Sequence, residues 1–221
     1  MYGVLVFLLF SLACVAQAST HANSPNKHMV IIGASYAEEW HIPPLPGYSV
    51  TNNAICGQVT SVLRAHFKRD AIDLNPDTVL IWGHNNDLIR STPENMAATE
   101  KKAKENLQAM VEQARAAGIT PIVATDLTLP VADTIIERLR AFIGQMRGKK
   151  DYRVEKNTAI KALNAWLREY ATKQNVKLLD FEKLLNSSNG TRRLEYTRED
   201  HSHITPAGYE VINRYVIAQL T

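Results

Sequence analysis

Apolar residues along this chain fall into short unbroken runs that alternate with longer stretches of helical spacing. Met29-Val30-Ile31-Ile32 is one such run, ending at Gly33-Ala34-Ser35. An unbroken apolar run of this length predicts a strand buried on both faces, here delivering a serine at its C-terminal tip. A helix is expected to begin within Tyr36 to Trp40, and His41 to Gly47, with three prolines, reads as a loop. Tyr48 to Thr51 has the β-branched and aromatic content of a second strand, closing at Asn52-Asn53. Helical spacing of Val62, Leu63, Phe67, Ala71 and Leu74 predicts a helix over Gln58 to Leu74, and Thr78 to Trp82 reads as a third strand.

Pro93 to Ala117 is expected as a long helix with Leu107, Met110, Val111 and Ala114 on one stripe, stopped by Gly118. Ile119 to Ala124 follows as a fourth strand, with Pro121 tolerable near its start. Leu129 to Asp151 carries a short helix around Ile135 to Met146 and a basic Gly-Lys-Lys turn. Lys156 to Gln174 reads as a helix, Val176 to Phe181 as a fifth strand, and Glu182 to Glu199 as an irregular loop. Thr205 is then the N-cap and Pro206 the first residue of a last amphipathic helix. Strands alternating with helices predict an α/β fold, a parallel sheet covered by helices on both faces, with its active site at the C-terminal strand ends.

Composition changes this picture little. With 221 residues, 45% hydrophobic and 21% charged, the chain suits a single domain with a sizeable core. The net charge of +3 comes with only the pairs Lys149-Lys150 and Arg192-Arg193 in place of a basic block, so no nucleic-acid partner is implied. The ends differ more. Val4 to Cys14 is an apolar run followed by Ala16-Gln17-Ala18, a small-x-small cleavage pattern, so residues 1–18 are expected to be a signal peptide, 19–27 a loose leader and 28–221 the domain. Export to the periplasm or the exterior follows as an expectation, and the run is too short for a comfortable membrane span. Cleavage after Ala18 leaves Cys56 as the single cysteine, which excludes an internal disulfide and reads as a small buried filler.

Four strand-end stretches carry polar residues that fit one chemistry. Ser35 follows the first strand, Gly57 the second, Asn85-Asn86-Asp87 the third, and Asp200-His201-Ser202-His203 precedes the last helix. In a parallel sheet these loops converge on one edge. Asp200 can hold the His203 imidazole by one ring nitrogen and leave the other as a base for the Ser35 hydroxyl. The backbone amides of Ser35 and Gly57, with the side-chain amide of Asn86, then form an oxyanion hole. His201 adjoins Asp200 directly and reads as solvent-facing. Trp40, His41 and Asn85 are candidates to line the substrate cleft. His84, His201 and His203 with Asp200 match no common zinc spacing, so no metal is expected.

The blocks Gly33-Ala34-Ser35, Ile55-Cys56-Gly57, Asn86-Asp87 and Asp200-x-x-His203 occur in the order found in the SGNH or GDSL serine esterases and lipases, which the chain resembles from Met29 onward. The resemblance implies a three-layer α/β/α sandwich on a central five-stranded parallel sheet, flavodoxin-like in order. It also implies hydrolysis of carboxylic esters through Ser35, His203 and Asp200, and no cofactor. The sequence lacks the G-x-S-x-G elbow of other α/β-hydrolases. Two departures stand out: Ala34 occupies the position of the family's aspartate, and the doubled asparagine lets Gly-x-Asn spacing select Asn85 while the following aspartate selects Asn86. The expected substrate is a small ester, with a lipid or an acylated glycan as the broader class. An acyltransferase, or a silent module that binds acylated glycan, uses the same residues.

Overall fold

The apolar runs pair edge to edge into one parallel sheet. In the structure, a computed structural model that describes residues 26–131, 143 and 152–220, the strands are β1 (Lys27–Gly33), β2 (Tyr48–Asn52), β3 (Thr78–Trp82), β4 (Thr120–Ala124) and β5 (Lys177–Leu179). Their order is β2-β1-β3-β4-β5, every neighbouring pair parallel. This is the flavodoxin-like arrangement, whose crevice opens where the connections from β1 and β3 leave toward opposite sides.

Alternation of side chains across the pleat builds two cores. Val30, Ile32, Val79, Ile81 and Val123 face one side and are covered by α2 (Thr60–Asp70), α4 (Met96–Ala116) and α5 (Tyr152–Gln174). Met29, Ile31, Leu80, Trp82 and Ile122 face the other, beneath α1 (Ser35–Glu38), α6 (Phe181–Leu185) and α7 (Pro206–Leu220). The short α3 (Asn85–Arg90) leads from β3 toward α4 and buries Leu88 in the first core. The expected three-layer sandwich on a five-stranded parallel sheet is therefore the fold.

The structure corrects the chain reading near its end. Phe181 does not extend the fifth strand: the Asp180 side chain accepts the Lys183 N–H, so a helix starts at Phe181 and buries Phe181 and Leu185. The stretch expected to be irregular thus holds α6, a 3₁₀ turn at Leu194–Tyr196 and two isolated antiparallel bridges, Asn186 to Arg192 and Thr197 to Ile204. Thr205 caps α7 as expected, its Oγ1 accepting the Gly208 N–H at 3.2 Å. The signal peptide expected at 1–18, most of the leader, and the short helix expected around Ile135 to Met146 (residue 143 apart) lie outside the described residues. Among the described residues no helix is long and apolar enough to cross a membrane.

Candidate active site

Ser35, Gly57 and the asparagine pair follow β1, β2 and β3 where those strands end, whereas Asp200 and His203 lie on the loop that enters α7. Gly33 brings β1 against β3 so closely that a Cβ added to it would lie 2.1 Å from Trp82 O. The chain then turns at Ala34, whose N–H donates to Trp82 O at 3.3 Å, and Ser35 opens α1. At the first position of a helix the backbone N–H has no intrahelical acceptor and is available to a ligand.

The loop carrying Gly57 is held from two sides. The Cys56 N–H donates to Glu38 Oε2 of α1 at 3.0 Å, and the Asn86 side-chain amide donates to Gln58 O at 2.9 Å. Asp87 accepts both the Thr60 N–H at 2.8 Å and the Thr60 hydroxyl at 2.6 Å. Burial pushes the Asp87 carboxyl upward, against these hydrogen bonds. Gly57 itself has φ +76, a left-handed conformation that glycine accepts without strain.

Asp200 and His203 form the clearest part of the site. His203 Nδ1 lies 2.7 Å from Asp200 Oδ2, while Asp200 Oδ1 accepts the N–H groups of Ser202 at 2.8 Å and His203 at 2.9 Å. Partial burial acts to raise the Asp200 pKa, but those amides and the imidazole outweigh it and hold the carboxyl well below the usual range. The carboxylate therefore fixes the imidazole with Nδ1 occupied and Nε2 available. His201, at φ 57, is exposed.

Ser35, Asn85 and Asn86 meet at a cavity of about 20 Å³ between α1 and α3, bounded also by Ala34, Gly83, Ile89 and Ser202. Asn85 is buried, its amide donating to Leu127 O at 2.8 Å and reaching Tyr36 Oη at 3.5 Å. Asn86 is half-buried. No hydrogen bond joins Ser35 Oγ to His203 Nε2 in this structure. His203 Nε2 instead has Glu39 Oε1 at 3.9 Å.

Three expectations change. Trp40 is core, not cleft: it is 3% exposed, packs edge-on against Trp82 and Phe181, and donates from Nε1 to Asn213 at 2.6 Å. Five residues past Ser35, its side chain is carried round to the core. His41 is exposed and does not border the cavity. Cys56 is exposed rather than buried, on a loop whose contact with α1 runs through its backbone N–H to the Glu38 carboxylate. His84 is buried, with Nε2 on Asn164 Oδ1 at 3.0 Å, and among the described residues no cluster of three or more His, Cys, Asp or Glu side chains could hold a metal ion.

Four residues at the site escaped the sequence reading: Asp126, Tyr36, Glu39 and Arg192. Asp126 follows β4 at the same edge as the other loops and accepts the N–H groups of His84 at 2.6 Å and Asn85 at 2.7 Å. Its place just past a strand end was a usable signal. Arg192 and Tyr36 carried none, since their roles arise from contacts between distant segments.

Known proteins share this fold. The chain is similar in structure to a GDSL-like lipase from Bacteroides thetaiotaomicron, with 24% identity, TM-score 0.64, and 89% of this chain and 90% of that chain covered. It is also similar to a lipase/acylhydrolase from Enterococcus faecalis, with 20% identity, TM-score 0.63 and coverage of 88% and 95%. A catalytic mutant of an acetylxylan esterase from Geobacillus stearothermophilus gives 16% identity, TM-score 0.60 and coverage of 87% and 93%. No curated protein matches the chain. The model of the GDSL-like lipase/acylhydrolase family matches residues 23–211, a span that holds Ser35, Gly57, both asparagines, Asp200 and His203. The chain belongs to the GDSL-like lipase/acylhydrolase family, and so to the SGNH hydrolases.

Proposed function

We propose that the protein hydrolyses small carboxylic esters through Ser35, His203 and Asp200. The observation that carries this reading is the 2.7 Å contact of Asp200 with His203 Nδ1, on a loop whose Ser202 borders the same cavity as Ser35. His203 Nε2 takes the Ser35 hydroxyl proton as Oγ bonds to the acyl carbon. The carbonyl electron pair moves onto oxygen, then returns as the alcohol leaves with the proton from Nε2. Water attacks the acyl-enzyme by the same route and frees the acid.

The backbone N–H groups of Ser35 and Gly57 are two donors to the oxyanion, and the asparagine pair supplies the third. Burial favours Asn85 for that role, since a donor aimed at developing charge acts most strongly where water is excluded. Asn86 then acts through Gln58 O, holding the Gly57 loop. A cavity of about 20 Å³ accommodates little more than one water-sized group, which supports a short acyl chain such as acetyl. The acetylxylan esterase neighbour agrees with an O-acetylated glycan as substrate class. Export, suggested by Val4 to Cys14 and Ala16-Gln17-Ala18, belongs to the same proposal.

Purified protein and Ser35→Ala should be compared on p-nitrophenyl acetate and acetylated xylo-oligosaccharides, with fluorophosphonate labelling of both. Hydrolysis and labelling that vanish together in Ser35→Ala support the reading. Equal hydrolysis by the variant, or an inert and unlabelled wild type, overturns it.

A further inference from the structure

Ser35 and His203 lie 168 positions apart in sequence and on different kinds of structure. The serine is locked by β1 and α1, whereas His203 sits on an exposed loop outside the sheet. Something must set the height of that loop over the nucleophile helix. The carbonyl of Ser202, the residue immediately before the base, accepts two hydrogen bonds: Tyr36 Oη donates at 2.8 Å and Arg192 Nη2 at 2.7 Å. Tyr36 is the residue immediately after the nucleophile. One peptide step on either side of the reacting pair is thus joined directly, and the arginine closes the junction.

Arg192 is suited to this and to little else nearby. It is 2% exposed, and among the described residues its guanidinium hydrogen-bonds to neutral oxygens, Tyr36 Oη and Ser202 O. Burying a guanidinium among neutral acceptors is costly, and an apolar side chain of similar volume would pack there at less cost. Its groups meet one cluster: Nη2 on Ser202 O, Nη1 3.4 Å from Tyr36 Oη, and Cζ 5.6 Å from the centre of the Tyr36 ring. The same tyrosine ring also meets the His203 imidazole, with ring centroids 6.4 Å apart and planes at 84°. Burial raises the Tyr36 pKa, opposed by Arg192, so the hydroxyl remains a donor. The backbone of Arg192 is itself anchored, its N–H donating to Thr128 Oγ1 at 2.9 Å.

We propose that Arg192 and Tyr36 are positioning residues that seat His203 over Ser35 by clamping the Ser202 carbonyl. The proposal rests on the assignment of Ser35 and His203 as nucleophile and base. Arg192 lies outside the lining of the cavity, and Tyr36, which borders it, gives its hydroxyl to the Ser202 carbonyl. They hold the imidazole within the narrow range in which Nε2 can take the serine proton, and a displacement of about 1 Å at such a contact costs roughly a hundredfold in rate.

Tyr36→Phe keeps the ring and its contacts with Arg192 and His203 while removing one of the two donors. Arg192→Lys keeps the charge and loses the fork, and Arg192→Met loses both. On p-nitrophenyl acetate, Tyr36→Phe should lower kcat about tenfold with KM within about twofold. Arg192→Lys should fall between Tyr36→Phe and Arg192→Met. The proton on His203 Nδ1, followed by NMR and assigned with Asp200→Asn, should shift or broaden in Tyr36→Phe while the melting temperature stays near wild type. If an active wild type and Tyr36→Phe share the same kcat and the same Nδ1 proton resonance, the clamp is overturned. If the arginine variants fail to fold, Tyr36→Phe alone decides. A wild type that neither hydrolyses esters nor labels at Ser35 overturns the functional reading instead, and the Nδ1 resonance still reports whether the clamp seats the imidazole.

Discussion

Asp126 accepts the backbone N–H of Asn85 at 2.7 Å, across 41 residues of sequence, and the same Oδ2 accepts the His84 N–H at 2.6 Å. Two amides at the start of α3 would otherwise be buried without partners. The backbone of Asp126 is in turn framed by Asn164, which accepts the Asp126 N–H at 3.0 Å and donates to Asp126 O at 2.7 Å. The end of β4 thereby sets the position of both asparagines at the cavity. Asp126→Ala should cost about 3 kcal/mol, the range for losing buried charge-assisted bonds and stranding their donors. Asp126→Asn, which keeps an acceptor, should cost about 1 kcal/mol. Urea unfolding checks this: the midpoint falls in that order at constant slope.

The two asparagines are separable by kinetics. Asn85→Ala should reduce kcat on a short-chain ester by about a hundred- to a thousandfold, the range for loss of one oxyanion donor. Asn86→Ala should cost less than about tenfold, because it loosens the Gly57 loop through Gln58 O while Asp87 still holds Thr60. Steady-state assays of the two variants side by side check the assignment, and a reversed order returns the role to Asn86.

Asp200 predicts a pH dependence of stability with a definite sign. Its pKa is lower folded than unfolded, so its contribution is fully present above the unfolded value of about 3.9 and is lost as pH falls through the lower folded value. Wild type should therefore lose denaturant resistance below about pH 4 more steeply than Asp200→Asn. Denaturation midpoints between about pH 7 and pH 2.5 for both proteins provide the measurement. The gap between the two curves should narrow steadily as pH falls below about 4.

Gly33→Ala should be among the most damaging single-atom additions. The new Cβ would meet Trp82 O at 2.1 Å and Ala37 Cβ at 2.8 Å, and neither is the end of a flexible side chain. Strand β1 must part from β3 at the point where Ser35 is delivered. The loss should be about 3 kcal/mol, the upper end for overpacking a core, with a melting temperature lower by about 6–12 °C. Calorimetry checks the stability, and kcat should fall as well.

How much of this was legible in the residues differs along the chain. Strands such as Thr78–Trp82 were readable because burial on both faces leaves no polar interruption, a property written into the sequence itself. Asp200 and His203 were readable because three residues of local chain suffice to join them. The fifth strand was overextended because the Asp180 cap, rather than the apolar character of Phe181, decides where the helix starts. Trp40 was misplaced because a short helix can turn an aromatic side chain toward cleft or core, and the Trp82 and Phe181 rings that take it lie elsewhere in sequence.

The amino-acid order by itself determined the alternating α/β architecture, the strand ends that carry Ser35, Gly57 and the asparagine pair, and the Asp200–His203 unit. These follow from burial periodicity and from contacts within a few residues, which the order of side chains encodes directly. Only the tertiary structure decided that Asp126 anchors α3, that Asn85 is buried beside the cavity, and that Tyr36 and Arg192 meet on the Ser202 carbonyl. The Asp126–Asn85 and Tyr36–Ser202 contacts span 41 and 166 positions, and Arg192 reaches Tyr36 across 156, so no local pattern specifies them. They exist because sheet order brings separate loops to one edge, where buried hydrogen-bonding groups must find partners across the chain.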